Sequence, residues 1–173
     1  NFVPVSELQP TGANENYILF LGKPWHGKGL DLLIKAYQKV CNIHSGELRI
    51  VGYFPPKDLE YLNKLCDNNK KIIIQPAVFY QEAQQLIDQC DFLVLPSRTE
   101  AMGRVLLEAM AHRKALIGSS ADGIPTYIKH GDNGLIFGTE NWEDLANQLE
   151  KMISNSNLRD SLAENGYNLV NQE

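Results

Sequence analysis

The chain has 173 residues, 43% hydrophobic and 21% charged, enough for one well-buried domain and too few for two ordinary ones. Its 16 basic residues against 21 acidic ones leave a net charge of −5, which argues against nucleic acid as the main partner, because phosphate backbones are gripped by an excess of clustered Lys and Arg. No apolar run reaches the length of a membrane span, and Cys41, Cys66 and Cys90 are odd in number and lack CxxC spacing, so three reduced thiols in a cytoplasmic protein are expected.

Residues 1–16 have no periodicity and read as a linker. From Tyr17 onward, short apolar runs alternate with segments of helical period, the pattern of a parallel sheet clad in helices. Tyr17 to Leu21 is a buried strand, and after a Gly-rich turn Leu30, Leu33, Ile34, Tyr37 and Cys41 share one helix face. Leu48 to Val51 is the second strand. Past the Pro55-Pro56 break, Leu59, Leu62, Leu65 and Cys66 mark a helix. Ile72 to Ile74 is the third strand, and Ala83, Leu86, Ile87 and Cys90 line the helix that follows. Phe92 to Leu95 is the fourth strand, with a helix from about Gly103 to His112. Ala115 to Gly118 and Leu135 to Phe137 bring the sheet to about six strands, separated by Gly123-Ile124-Pro125 and Gly131-Asp132-Asn133-Gly134. Two helices close the chain, the first striped with Trp142, Leu145, Ala146, Leu149 and Ile153. The fold class is α/β, a Rossmann-like doubly wound parallel sheet flanked by helices, in which ligands bind beyond the carboxyl ends of the strands.

That rule directs attention to two loops. Gly22 to Gly29 (GKPWHGKG) joins the first strand to its helix; its glycines allow close backbone approach, Lys23 and Lys28 supply charge, and the helix start adds oriented N–H groups, a combination suited to phosphate. The plainer alternative is two solvated lysines on a tight turn. The segment falls one residue short of a Walker A sequence, with Gly29 where a Ser or Thr would hold Mg²⁺, and Asp91 precedes its strand instead of ending it, so a P-loop phosphohydrolase is the weaker reading. Trp25 and His26 read as loop packing.

After the fourth strand, Pro96-Ser97-Arg98-Thr99-Glu100-Ala101-Met102-Gly103-Arg104-Val105-Leu106-Leu107-Glu108 sets two carboxylates across a loop-to-helix junction. With the helix beginning near Gly103, Glu100 precedes its N-terminus and Glu108 lies more than a turn inside, at different depths of one cleft. Glu100 can accept hydrogen bonds from sugar hydroxyls, Glu108 can take a ribose diol with both oxygens, and the N–H groups of Gly103 to Val105 can face a diphosphate. The alternative is a Glu favoured by the helix dipole and a solvated one among apolar neighbours.

Taken together these motifs resemble family-four glycosyltransferases of the GT-B fold. Glu100 and Glu108 stand as the E-x7-E pair, preceded by the strand-plus-PS pattern Asp91-Phe92-Leu93-Val94-Leu95-Pro96-Ser97. Gly22-Lys23, Lys28-Gly29, Glu108-Ala109-Met110-Ala111, Gly123-Ile124-Pro125 and Gly131-Asp132-Asn133-Gly134-Leu135 follow the family's order over nearly the whole chain. The resemblance implies that residues 17–173 form a donor domain binding a UDP-, GDP- or ADP-sugar for retaining transfer to a hydroxyl, with no metal and no further cofactor. It implies that Lys23, standing where an Arg is common, and Lys28 bind the diphosphate, that Glu100 is the catalytic candidate at the donor sugar, and that Glu108 holds the ribose. It further implies that backbone near Val78, together with Gly52 and Tyr53, flanks the nucleoside, and that Gly22, Met102, Gly103, Arg104 and Val105 complete the donor-binding set, with Arg104 open to binding phosphate, binding an acidic sugar or simply being exposed. It also implies a hexosyltransferase of cell-surface polysaccharide biosynthesis with a glycan or lipid-linked acceptor, an N-terminal acceptor domain missing from this chain, a full-length enzyme at the inner face of the membrane, and a fragment inactive by itself. A binding-only nucleotide-sugar module is the other reading. Glu100-Ala101-Met102-Gly103 departs from the usual Glu-Gly-Phe-Gly, Arg104 replaces a commonly aliphatic residue, and Thr126 stands where Glu is frequent; these departures bear on the donor sugar.

Overall fold

A computed structural model of the chain describes residues 14–171, so most of the linker expectation lies outside the described residues. In chain order the elements are β1 (Tyr17–Leu21), α1 (Leu30–Val40), β2 (Glu47–Val51), α2 (Pro56–Cys66), β3 (Ile72–Gln75), α3 (Tyr80–Gln89), β4 (Phe92–Leu95), α4 (Arg104–Ala111), β5 (Ala115–Ser119), α5 (Ile124–Tyr127), β6 (Leu135–Phe137), α6 (Trp142–Ser154) and α7 (Ser156–Asn171). The strands form one six-stranded sheet in the order β3-β2-β1-β4-β5-β6, and every pairing is parallel. None of the described helices is long and apolar enough to cross a membrane.

Because the sheet is covered on both sides, its central strands are apolar at consecutive positions, and strand alternation divides their side chains between two cores. Ile18, Phe20, Phe92, Val94 and Ile117 enter one core with α1 and α6, while Tyr17, Leu19, Leu93, Leu95 and Leu116 enter the other with residues of α3, α4 and α5. Local chemistry sets the helix ends. Pro56 opens α2, where its missing N–H costs nothing, and Asn141 caps α6 by accepting from the Asp144 N–H at 2.9 Å.

Two elements differ from the sequence expectation. The Gly123-Ile124-Pro125 segment begins a four-residue helix, α5, too short to carry a periodic signal, whose Ile124 packs into the second core. On α3 the buried residues are Gln84, Ile87 and Asp88, while Ala83 and Leu86 are only partly covered. The apolar stripe 83, 86, 87 and 90 is thus rotated toward two polar residues that meet partners on α4 and at its C-cap, His112. The thiols are free; burial pushes that of Cys66 up to about 11 and that of Cys90 up to about 12, leaving both as inert packing groups.

Strand order reverses between β1 and β4: from β1 the chain winds outward to β2 and β3, and from β4 it winds the other way to β5 and β6. The loops leaving the carboxyl ends of β1 and β4 therefore part toward helices on opposite sides and leave a crevice between them. Both loops singled out by sequence open into that region.

Candidate functional site

The loop after β1 is shaped from the β4 side. At Gly29, with φ of 64°, an added Cβ would stand 2.0 Å from the Pro96 carbonyl oxygen, so the start of α1 lies directly on the loop after β4. Arg98 locks the contact. Its backbone N–H donates to the Gly27 carbonyl at 2.9 Å, and its guanidinium donates to the His26 carbonyl at 2.7 Å, to both Asp31 oxygens at 2.8 and 2.9 Å, and to Glu140 at 2.6 Å. Sequence reasoning gave Arg98 and Asp31 no role, since these partners are dispersed along the chain. Trp25 stacks on Tyr61 of α2 with ring centroids 5.0 Å apart, a packing contact. Asp91 stands at the opposite end of β4, bonded by Asn14 at 2.7 Å and close to His44 at 3.4 Å, so it offers nothing to a P-loop reading.

In the crevice lies a cleft of about 620 Å³. Gly22, Lys23, Val78, Arg104, Val105 and Glu108 line it, as do Gly52 and Tyr53. A second hollow of about 300 Å³ adjoins it, sharing Gly52, Tyr53 and Ala77 and closing against Phe54, Ile74 and Pro76. The cleft thus carries two cationic side chains and one carboxylate, with Tyr53, Tyr80 and apolar side chains making up much of the rest of its lining.

The remaining residues of the expected set are arranged differently. Lys28 and Glu100 do not line this cleft; they form an ion pair with each other, 23% and 11% exposed. The Glu100 carboxylate also accepts from the Gly103 N–H at 3.1 Å and the Ser97 hydroxyl at 3.2 Å. One of the three N–H groups expected to face a diphosphate is therefore already engaged by Glu100. The pair is still adjacent to the cleft: the Lys28 stem passes within 3.6 Å of where a Gly22 side chain would begin, and Gly103 immediately precedes Arg104. Met102 is 48% exposed and, like Lys28, Glu100 and Gly103, does not line the cleft.

Glu108 points between α4 and α3, where the Gln84 amide donates to its Oε2 at 3.3 Å. Burial pushes the Glu108 carboxyl above its ordinary range, against the opposing pull of the Gln84 hydrogen bond and the Arg104 charge. Gln84 was not foreseen; the only signal is a polar residue one step from an apolar helix stripe.

Three other carboxylates have the opposite shift. Burial raises Asp31, Asp91 and Glu100, but in each case it is outweighed: by Arg98 at Asp31, by His44 and Asn14 at Asp91, and by Lys28 and the Gly103 N–H at Glu100. A carboxylate that binds its proton less readily folded than unfolded stabilises the fold above the unfolded pKa of about 4, and that stabilisation drains away as pH falls through the depressed folded values. The melting temperature is therefore expected to drop as pH falls below about 4. Arg98→Ala should lower stability at pH 7 by about 1–3 kcal/mol, between the values for exposed and buried pairs, and should make the acid decline shallower. Urea titrations of both proteins across pH measure this, and superimposable pH profiles would refute the assignment.

The sequence profile of the family described as glycosyl transferases group 1 matches residues 7–169. An uncharacterized glycosyltransferase of Methanocaldococcus jannaschii is 31% identical over 88% of this chain and 39% of its own length. The chain spans about two fifths of the length of the curated relatives it matches. Among solved structures, the C-terminal domain of a glycosyl transferase group 1 family protein from Francisella tularensis superposes with a TM-score of 0.88 at 25% identity, covering 99% of this chain and 98% of that one. Anabaena HepE in complex with UDP-glucose superposes at 0.81 with 21% identity, over 98% of this chain and 48% of its own.

Proposed function

The chain belongs to the glycosyl transferases group 1 family, and from that premise we propose that it is the donor-binding domain of a retaining glycosyltransferase, taking a nucleoside-diphosphate hexose and passing the hexosyl group to a hydroxyl of a glycan or lipid-linked acceptor. In that reaction the bond from the anomeric carbon to the diphosphate breaks with its electron pair going to phosphate, the acceptor oxygen bonds to the same carbon, and the hydroxyl proton is released. The chief demand is to stabilise the departing diphosphate while positive charge develops on the sugar.

One observation carries the reading: at the switch point of the sheet, Lys23, Arg104 and Glu108 line a single cleft of about 620 Å³. Two cations beside the start of α4 suit a diphosphate, and a carboxylate deeper along the same helix suits a ribose diol. The adjoining hollow beneath Tyr53 offers apolar surface for a base. Lys28 and Glu100, one step away, are assigned to the diphosphate and the donor sugar, and the UDP-glucose bound by the Anabaena protein of the same fold supports trying uracil first.

Thermal unfolding with UDP, GDP, ADP and ATP, each with and without Mg²⁺, tests this. A ligand held only by the folded state at a hundred times its Kd adds about 2.7 kcal/mol of stability. At least one nucleoside diphosphate is expected to raise the melting temperature without metal. A shift only with ATP and Mg²⁺ would reject the donor-domain reading in favour of a phosphohydrolase.

A further inference from the structure

Between α3 and α4 a run of polar side chains is buried where apolar ones would pack with less difficulty. Gln84 is 7% exposed, Asp88 4% and His112 4%. Buried polar groups are costly unless bonded, so such a cluster invites a reason other than packing.

Its geometry supplies one. Glu108 and His112 are four residues apart at the end of α4 and so face the same side, one turn from each other. Gln84 spans that turn from α3: its Nε2 donates to Glu108 Oε2 at 3.3 Å, and its Oε1 lies 2.9 Å from His112 Nε2. The arrangement has a direction. When Glu108 is ionised, the Gln84 amide oxygen cannot turn toward it, so the amide donates forward and His112 presents a proton on Nε2. Asp88, four residues after Gln84 on α3, stands beside the other ring nitrogen at 3.5 Å. The far end of the run is the one carboxylate that lines the cleft together with Lys23 and Arg104.

We propose that Gln84, fixed from behind by His112, is a positioning residue that aims the Glu108 carboxylate at the ribose diol of the bound nucleotide. The inference rests on the donor-domain reading above and goes beyond it by naming residues that touch no ligand. Rotation of the Gln84 amide is prevented by the His112 proton, so Glu108 presents its oxygens to the cleft in one orientation, and the diol meets a fixed acceptor instead of a swinging one.

The test compares UDP, GDP and ADP with their 2′,3′-dideoxy counterparts on the full chain by calorimetry. Wild-type protein is expected to bind the diol form of at least one nucleotide more tightly than its dideoxy form. Gln84→Met, close in volume and shape, should reduce that preference about tenfold while leaving dideoxy affinity unchanged, the scale expected for losing a hydrogen bond to a charged group. His112→Phe should act in the same direction. His112→Gln, whose amide nitrogen can occupy the place of Nε2, should restore the preference, so the outcome does not depend on one variant folding. If wild type prefers the diol and both Gln84→Met and His112→Phe keep that preference, the positioning role is overturned and the site reading stands. If wild type shows no diol preference with any of the three, the assignment of Glu108 to ribose fails, and this inference fails with it.

Discussion

Glu108→Ala is expected to weaken nucleoside-diphosphate binding by roughly 10- to 100-fold. The carboxylate lines the cleft, and burial has already stripped part of its hydration, so what it loses in water it must regain from ligand hydroxyls. A hydrogen bond to a charged group contributes about 1.5–3 kcal/mol, and each 1.4 kcal/mol is a factor of ten. Truncation also leaves the Gln84 amide facing an empty space. Glu108→Gln keeps one acceptor oxygen without the charge and should fall between the two. Because burial raises the Glu108 pKa, ligand affinity should strengthen as pH rises through that elevated value and the carboxylate ionises. Titration calorimetry of the three proteins with the nucleotide that stabilises wild type is the measurement; indistinguishable affinities would remove Glu108 from the site.

The second large effect is on folding. Gly29→Ala places a methyl group 2.0 Å from the Pro96 carbonyl oxygen, and that neighbour is backbone, unable to swing aside as a side chain would. The residue also has φ of 64°, a region that costs a non-glycine residue about 1–2 kcal/mol. Overpacking of a tight contact adds about 1–3 kcal/mol. A loss of about 2–5 kcal/mol is therefore expected, a large part of the stability of a domain this size. Gly27→Ala is the control, since a Cβ there meets nothing closer than the Pro24 ring at 3.8 Å. Equal unfolding midpoints for the two variants would show that the two loops do not bear on each other as described.

How far the sequence disclosed this arrangement depends on the range of the interaction. Phe92 to Leu95 is four apolar residues in a row because both sides of β4 are covered, and that signature needs no partner to be recognised. The expected helix of α4 was legible for a similar reason, with Leu106, Ala109 and Met110 repeating on one face. Lys23, Arg104 and Glu108 could be singled out because they lie in, or on the helix just after, the loops that the parallel-sheet rule marks. What could not be read were contacts between distant positions. Arg98 meets Asp31 across 67 residues and Glu140 across 42, and Lys28 meets Glu100 across 72. Nothing in the spacing of either loop says that the lysine and the glutamate assigned to two parts of a ligand will find each other first. Met102 was placed by its position in a motif, and its side chain stands apart from the cleft.

The ion pair of Lys28 and Glu100 has a consequence for selectivity. The lysine is neutralised from within, so a bare anion that captures it leaves the Glu100 carboxylate with only the Gly103 N–H and the Ser97 hydroxyl as partners, and that loss works against the capture. A guest that offers negative oxygens to the one and hydroxyl hydrogens to the other lets both partners change hands at once. If Lys28 and Glu100 hold the diphosphate and the donor sugar as proposed, this swap disfavours inorganic phosphate and favours a molecule carrying phosphate and sugar together, a discrimination that needs no added wall or lid.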